Sequence, residues 1–182
     1  PDIVQLMGSV TCESISSTPQ AVVTAMAEVF HGHADFLNLP LYIPNDYVRE
    51  TLCNDANNSV ILKKGIFCDK VIASIGTMGK IRESDYWRGS MPPEIYKDLV
   101  EKGACGSILG RFFDANGQEL ACDWNEKSIS LSIQQLRNIS DVVIVASPVS
   151  KAPALLAALK GDFINTLITD GTTATRILNE AK

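Results

Sequence analysis

The run Asp141-Val142-Val143-Ile144-Val145-Ala146 constrains the fold most. Four consecutive β-branched residues leave neither strand face suited to water, so the strand belongs inside a covered parallel sheet. Ile3–Leu6, Asp69–Ile75 and Thr166–Thr169 are shorter runs of the same kind. Amphipathic helices alternate with them. Thr18 is a predicted N-cap followed by Pro19, with Val22, Val23, Met26, Val29 and Phe30 on one face and an end near His31-Gly32-His33. Pro92-Pro93 starts a helix whose face is Ile95, Tyr96, Leu99 and Val100. Ser150 is a candidate cap for a helix carrying Leu155, Leu156 and Leu159 up to Gly161. Asp170 caps a last helix with Ala174, Ile177, Leu178 and Ala181. Strands alternating with such helices predict an α/β fold with a mainly parallel sheet, and right-handed crossovers put helices on both faces.

The remaining segments are less regular. Phe36–Ile43 reads as an edge strand interrupted by Pro40, and Ser128–Leu131 as a short strand. Asn45-Asp46 caps a helix to about Cys53, the polar stretch Asp55–Ser59 is a turn or cap, Val60–Lys64 is a further short helix, and Ile133–Arg137 is about one turn. Two loops of small residues stand out. One is Gly76-Thr77-Met78-Gly79, after a strand. The other opens the stretch Gly103-Ala104-Cys105-Gly106-Ser107-Ile108-Leu109-Gly110-Arg111-Phe112-Phe113-Asp114-Ala115-Asn116-Gly117. There a helix stop precedes a strand over Ile108–Phe113 and a turn over Asp114–Gly117. In open α/β sheets, ligands bind in loops outside the strand ends.

Composition excludes several classes. A chain of 182 residues is one domain or most of one, and a net charge of −5 offers no nucleic-acid-binding surface. Apolar runs fall far short of the roughly 20 residues a membrane helix needs, and no secretory signal peptide is visible. The five cysteines, Cys12, Cys53, Cys68, Cys105 and Cys122, form no CxxC pair, which fits reduced thiols in a cytoplasmic protein. The two histidines have no carboxylate or thiol at ligand spacing, so neither a metal nor a cofactor is expected.

The stretch Gly103–Gly117 resembles the GD-x-x-GRFFDA-x-G signature of the effector-binding domain of SorC (sorbitol-operon regulator) transcription factors. Ile3–Ser9 resembles the family's strand and Gly-Gly loop, Val71–Thr77 its V-x-x-x-IG-S/T strand end, and Leu167–Asp170 its L-V-T-D strand end. The four pieces occur in order from Pro1 to about Lys182. The resemblance implies a three-layer α/β/α sensor like glucosamine-6-phosphate deaminase and ribose-5-phosphate isomerase, binding a sugar or sugar phosphate and assembling as a homodimer or homotetramer. DNA would be reached only through an N-terminal helix-turn-helix, which this chain lacks together with the start of the sensor. The implied ligand-binding positions are Gly8, Ser9, Gln20, Gly76, Thr77, Arg88, Ser107 and Lys151. Ser107 departs from the family, which carries an acid there and so gains two acceptors for sugar hydroxyls. A phosphosugar isomerase or deaminase of the same fold is the alternative. It needs a general base, and Asp114 and Asp170 are the acidic candidates near loops. An oligomerisation domain without a ligand is a third reading.

Overall fold

The computed structural model describes residues 1–10, 18–81, 87 and 91–181. Eight strands are present among them: β1 (Asp2–Val4), β2 (His33–Asp35), β3 (Lys70–Ala73), β4 (Ile75–Thr77), β5 (Gly106–Ile108), β6 (Arg111–Phe113), β7 (Asp141–Val145) and β8 (Thr166–Ile168). The helices are α1 (Pro19–Val29), α2 (Asp46–Cys53), α3 (Ala56–Ile66), α4 (Met78–Ile81), α5 (Pro93–Glu101), α6 (Asp123–Lys127), α7 (Ile133–Arg137), α8 (Ala152–Lys160) and α9 (Gly171–Glu180). The expected α/β class is borne out. The strands form a parallel pair β1–β2, a parallel sheet in the order β3–β7–β8, and an antiparallel sheet β4–β5–β6.

Capping chemistry sets most helix starts where the sequence puts them. Thr18 Oγ1 accepts from the Ala21 N–H (3.2 Å) and Asn45 Oδ1 from the Val48 N–H (3.0 Å). Asp170 accepts from the backbone of Thr173 (2.9 Å) and from the hydroxyls of Thr173 (2.6 Å) and Ser147 (3.0 Å). These bonds, those from Thr173 foremost, bring its carboxyl down to about 2. Two starts differ from expectation. Asp55 caps α3 at once, so the helix begins at Ala56 rather than Val60. Ser150 does not cap α8: it lies in a 3-10 turn, Val149–Lys151, that runs into the helix.

The strand over Ile108–Phe113 is a hairpin instead. Leu109 (φ 48°) and Gly110 (φ 78°) make a two-residue turn of the kind whose twist matches its flanking strands. Gly76 and Thr77 belong to β4, and Met78 and Gly79 open α4, so that segment is no free loop. Phe36–Ile43 and Ser128–Leu131 form isolated bridges, Ser9 to Pro40, Met7 to Ser130 and Tyr42 to Ser128, rather than ladders.

Three apolar clusters hold the elements. Val71, Ile75, Ile108, Phe113, Val142, Ile144 and Leu155 pack in the largest. Trp124, Phe112, Leu41, Leu99 and Trp87 form the second, and Leu37, Leu39, Ile43 and Ile129 the third. One expectation about β7 fails: Val142 and Ile144 are buried, yet Val145 is 48% exposed, as is its register partner Ile168 at 54%. The face of the β3–β7–β8 sheet that carries them is therefore open toward solvent.

Candidate functional site

A cleft of about 1050 Å³ separates β1 and its extension from β3 and β4. Its walls include Ile3, Leu6, Val22, Met26, Phe30 and Ile72, and its polar groups include Gln5, Ser74, Ser107 and Lys151. Gly76, Ser107 and Lys151 of the sequence-derived set line it together. Ser107 faces Gly76 across the β4–β5 register and is 4% exposed. A Cβ on Gly76 would stand 2.5 Å from Ser107 Oγ, so glycine is what lets the serine occupy this place. The β5–β6 hairpin fixes Ser107, and the hairpin turn also borders the cleft through Leu109 and Gly110.

Lys151 reaches in from the turn before α8. Its ammonium donates to Ser74 Oγ at 3.2 Å. Burial holds its pKa below the ordinary lysine value of 10.5. Other cleft cations are matched to carboxylates. Lys64 bonds Asp35 (2.6 Å) and Asp2 (3.2 Å), bonds that raise its pKa, and Lys70 pairs with Asp141 (2.6 Å). Lys151 thus brings a partly desolvated positive charge to a group of hydroxyls, an arrangement suited to an anion.

The other sequence-derived residues lie elsewhere. Gly8 donates to the Ile129 carbonyl (2.8 Å), and Ser9 exchanges backbone bonds with Leu39 and Leu41 (2.7 and 2.8 Å). Gln20 Nε2 donates to Ser9 Oγ, so these two side chains satisfy each other. Thr77 pairs with Gly106. None of the four borders the cleft. Arg88 lies outside the described residues. Its neighbour Trp87 does line the cleft and packs 5.6 Å from Phe112.

Sequence reasoning missed Gln5. It is 3% exposed and lines the cleft, and its Nε2 donates to the carbonyls of Met7 (2.7 Å) and Leu37 (3.4 Å). Its Oε1 is buried with no protein donor. The signal was a lone amide inside an apolar strand, which must find partners once buried. The two carboxylates that the sequence offers as a general base are occupied locally. Asp114 Oδ1 accepts from the N–H groups of Asn116 (2.8 Å) and Gln118 (2.9 Å), which shapes a turn, and Asp170 caps α9. Among the described residues, no group of three or more His, Cys, Asp or Glu could hold a metal. Nor is any helix there long and apolar enough to cross a membrane. Cys53, Cys68, Cys105 and Cys122 are free thiols, each with its pKa pushed up by burial.

Comparison with known proteins follows the same lines. Residues 2–179 match the family model described as "Putative sugar-binding domain". The chain is 28% identical over 179 residues to the deoxyribonucleoside regulator of Bacillus subtilis, covering 98% of this chain and 56% of that protein. It is 28% identical over 145 residues to the sorbitol operon regulator of Klebsiella pneumoniae, covering 80% and 45%. The full-length sorbitol operon regulator SorC of Klebsiella pneumoniae superposes with a TM-score of 0.89 at 22% identity, over 97% of this chain and 57% of that one. The chain therefore spans about half the length of these curated relatives. The ordered motifs, the fold and the family match agree, and the chain belongs to the sugar-binding-domain family of SorC-type transcriptional regulators.

Proposed function

We propose that this chain binds a sugar or sugar phosphate as the effector of a cytoplasmic transcriptional regulator, and that it catalyses nothing. The polypeptide reaches DNA through a part other than these residues, and effector binding alters its assembly or its DNA affinity. One observation carries the reading. Lys151 is a partly buried cation bonded to the Ser74 hydroxyl, and it shares with Ser107 a cleft of a family defined by sugar binding. Ser107 offers less than the acid usual at its position, so the effector gains fewer hydroxyl contacts there and more from the cation. Arg88 is part of the same proposal from its place in the sequence, as are Gly8, Ser9, Gln20 and Thr77, although these four do not border the cleft.

Lys151→Ala is expected to weaken phosphosugar binding about ten- to a hundred-fold, since a charge-assisted hydrogen bond contributes about 1.5–3 kcal/mol. Affinity for the dephosphorylated sugar should change little. Burial favours the neutral amine, so affinity for the phosphosugar should fall as pH rises through Lys151's lowered pKa, beginning below 10.5. Lys151→Met should lose this pH dependence and raise the Tm of the ligand-free protein, because no charge is then desolvated. Calorimetry with a phosphosugar and its dephosphorylated form decides. Equal binding by wild type and Lys151→Ala contradicts the assignment.

Self-association belongs to the same reading. The exposed neighbours Val145 and Ile168 support a dimer or tetramer, since such apolar faces mark interfaces. Light scattering should give at least a dimer, and a clean monomer at tens of micromolar, roughly where modest interfaces populate, counts against it.

A further inference from the structure

The polar end of the cleft is held by a closed circuit of contacts. Lys151 Nζ donates to Ser74 Oγ, two residues before Gly76. Gly76 stands opposite Ser107 in the β4–β5 register, and Gly106 directly precedes Ser107. Gly106 lies in turn against Ala154, which follows Lys151 by three residues on α8: a Cβ on Gly106 would stand 2.8 Å from the Ala154 Cβ. Most links in this circuit are stiff. The ladder fixes Gly76 against Ser107, and the helical rise sets Lys151 about 4.5 Å before Ala154. The gap between β5 and α8 therefore decides where the ammonium stands relative to Ser107.

That gap is narrow because Gly106 has no side chain. Ordinary carbon–carbon contact is about 3.5–4.0 Å. An added Cβ would meet Ala154 at 2.8 Å and the Phe113 ring at 2.6 and 2.9 Å. Neither the strand nor the ring can yield. β5 is the middle strand of its sheet, laddered to β4 and β6. Phe113 is fully buried and meets Phe163 edge-on at 5.4 Å. The helix α8 has room on its outer side, where Leu159 is exposed, so α8 would give way and carry Lys151 with it. At 3.2 Å the bond to Ser74 is already at the long end of the N–H···O range, which leaves it little slack. A second close approach serves for comparison. A Cβ on Gly117 would stand 2.6 Å from Gly161 Cα, at the far end of α8. Neither of those glycines lines the cleft.

We propose that Gly106 is a positioning residue of the effector site: lacking a side chain, it lets α8 approach β5 closely enough for Lys151 to reach Ser74 and to share one ligand with Ser107. Preference for a phosphosugar over the neutral sugar then depends on the Gly106–Ala154 contact as well as on Lys151 itself. The inference rests on the effector reading of the cleft, but the geometry it invokes can be measured without a ligand.

The ligand-free readout is the nuclear Overhauser contact between the Cε protons of Lys151 and the Cβ protons of Ser74. It should be present in the wild type, lost in Gly106→Ala, kept in Gly117→Ala and at least partly regained in Gly106→Ala/Ala154→Gly, where the helix gives back the volume. Ala154→Val pushes from the helix side, by adding methyls to a side chain 1% exposed, and replaces Gly106→Ala if that variant does not fold. The functional readout is calorimetry with ribose-5-phosphate, fructose-6-phosphate and glucosamine-6-phosphate and their dephosphorylated forms. Gly106→Ala should lower the phosphosugar-to-sugar affinity ratio roughly tenfold, the low end of what removing the Lys151 contact costs. In a Lys151→Ala background it should lower the ratio no further. A loss of stability alone would weaken both ligands alike. Three results overturn the proposal: a Lys151–Ser74 contact that survives both pushing variants, a ratio lowered as much by Gly117→Ala as by Gly106→Ala, or a ratio that Gly106→Ala still lowers once Lys151 is absent. If no phosphosugar binds the wild type while the contact responds as stated, the positioning of Lys151 stands and the effector reading falls.

Discussion

Trp124→Ala is expected to destabilise the protein by about 3–5 kcal/mol, the range for truncating a buried tryptophan. The side chain is 1% exposed. Its ring stacks on Tyr42 at 4.6 Å with planes 3° apart and meets Trp87 and Phe112 edge-on at 5.7 and 6.4 Å. Its indole N–H donates to the Gly110 carbonyl at 2.8 Å, which ties the second cluster to the turn of the β5–β6 hairpin. Alanine removes all of these contacts and leaves Gly110 without that donor. In a domain of this size the Tm should fall by roughly 6–20 °C, at about 2–4 °C per kcal/mol. Tyr42 should respond as well. Burial, with help from its bond to Asp123 (2.7 Å), pushes its hydroxyl up to about 12. Removing the indole that covers it should let that value fall back toward 10, which an ultraviolet titration reads. Trp124→Phe keeps most of the apolar surface and loses the N–H, a change of about 1 kcal/mol. A Trp124→Ala protein as stable as wild type would contradict the packing described.

Arg111→Ala is expected to cost about 3 kcal/mol, the low end for breaking a buried ion pair. The guanidinium, 13% exposed, bonds Glu119 (2.7 Å) and the carbonyls of Asn125 (2.8 Å), Ser128 (3.0 Å) and Ser130 (3.2 Å). Glu119 in turn accepts from the Ile133 N–H at the start of α7 (2.7 Å). One side chain thus binds β6 to the irregular segment that leads from α6 to α7. Removal takes a donor from three carbonyls and a carboxylate oxygen. Denaturant unfolding should show the midpoint falling with an unchanged slope. Arg111→Lys restores the charge but not the planar fork, so it should recover only part of the loss. Full recovery by lysine would show that charge alone matters at this site.

These two residues mark where sequence reasoning stops. Arg111 sits in the recognisable signature, yet nothing local to it says that its partners lie up to 19 residues away. Most of the parallel strands and the helices capped by Thr18, Asn45 and Asp170 were legible because their causes are local, β-branched runs and caps that act within a few residues. The strand β2 (His33–Asp35) was not read, and α3 starts before the expected Val60. The hairpin was not legible, because Ile108–Phe113 reads as one mostly apolar run and the turn puts a leucine at φ 48°, a place no propensity assigns to it. Phe36–Ile43, expected as an edge strand, buries one face, with Leu37, Leu39, Leu41 and Ile43 each at most 5% exposed. The segment nevertheless forms bridges rather than a ladder, and Pro40 has no N–H to give to one. At the site, three of the positions implied by the resemblance, Gly76, Ser107 and Lys151, line one cleft. Gly8, Ser9 and Gln20 have found partners among themselves and in the neighbouring backbone, and tertiary contacts of that kind leave no trace in spacing.

The central claim is that the cleft binds a phosphosugar and leaves it intact. Calorimetric titration with ribose-5-phosphate, fructose-6-phosphate and glucosamine-6-phosphate, followed by chromatography of the recovered ligand, tests it most directly. The account predicts saturable binding of at least one of them, weakened by Lys151→Ala, with every ligand recovered unchanged. Isomerised or deaminated product, or no binding of any of the three, would contradict it.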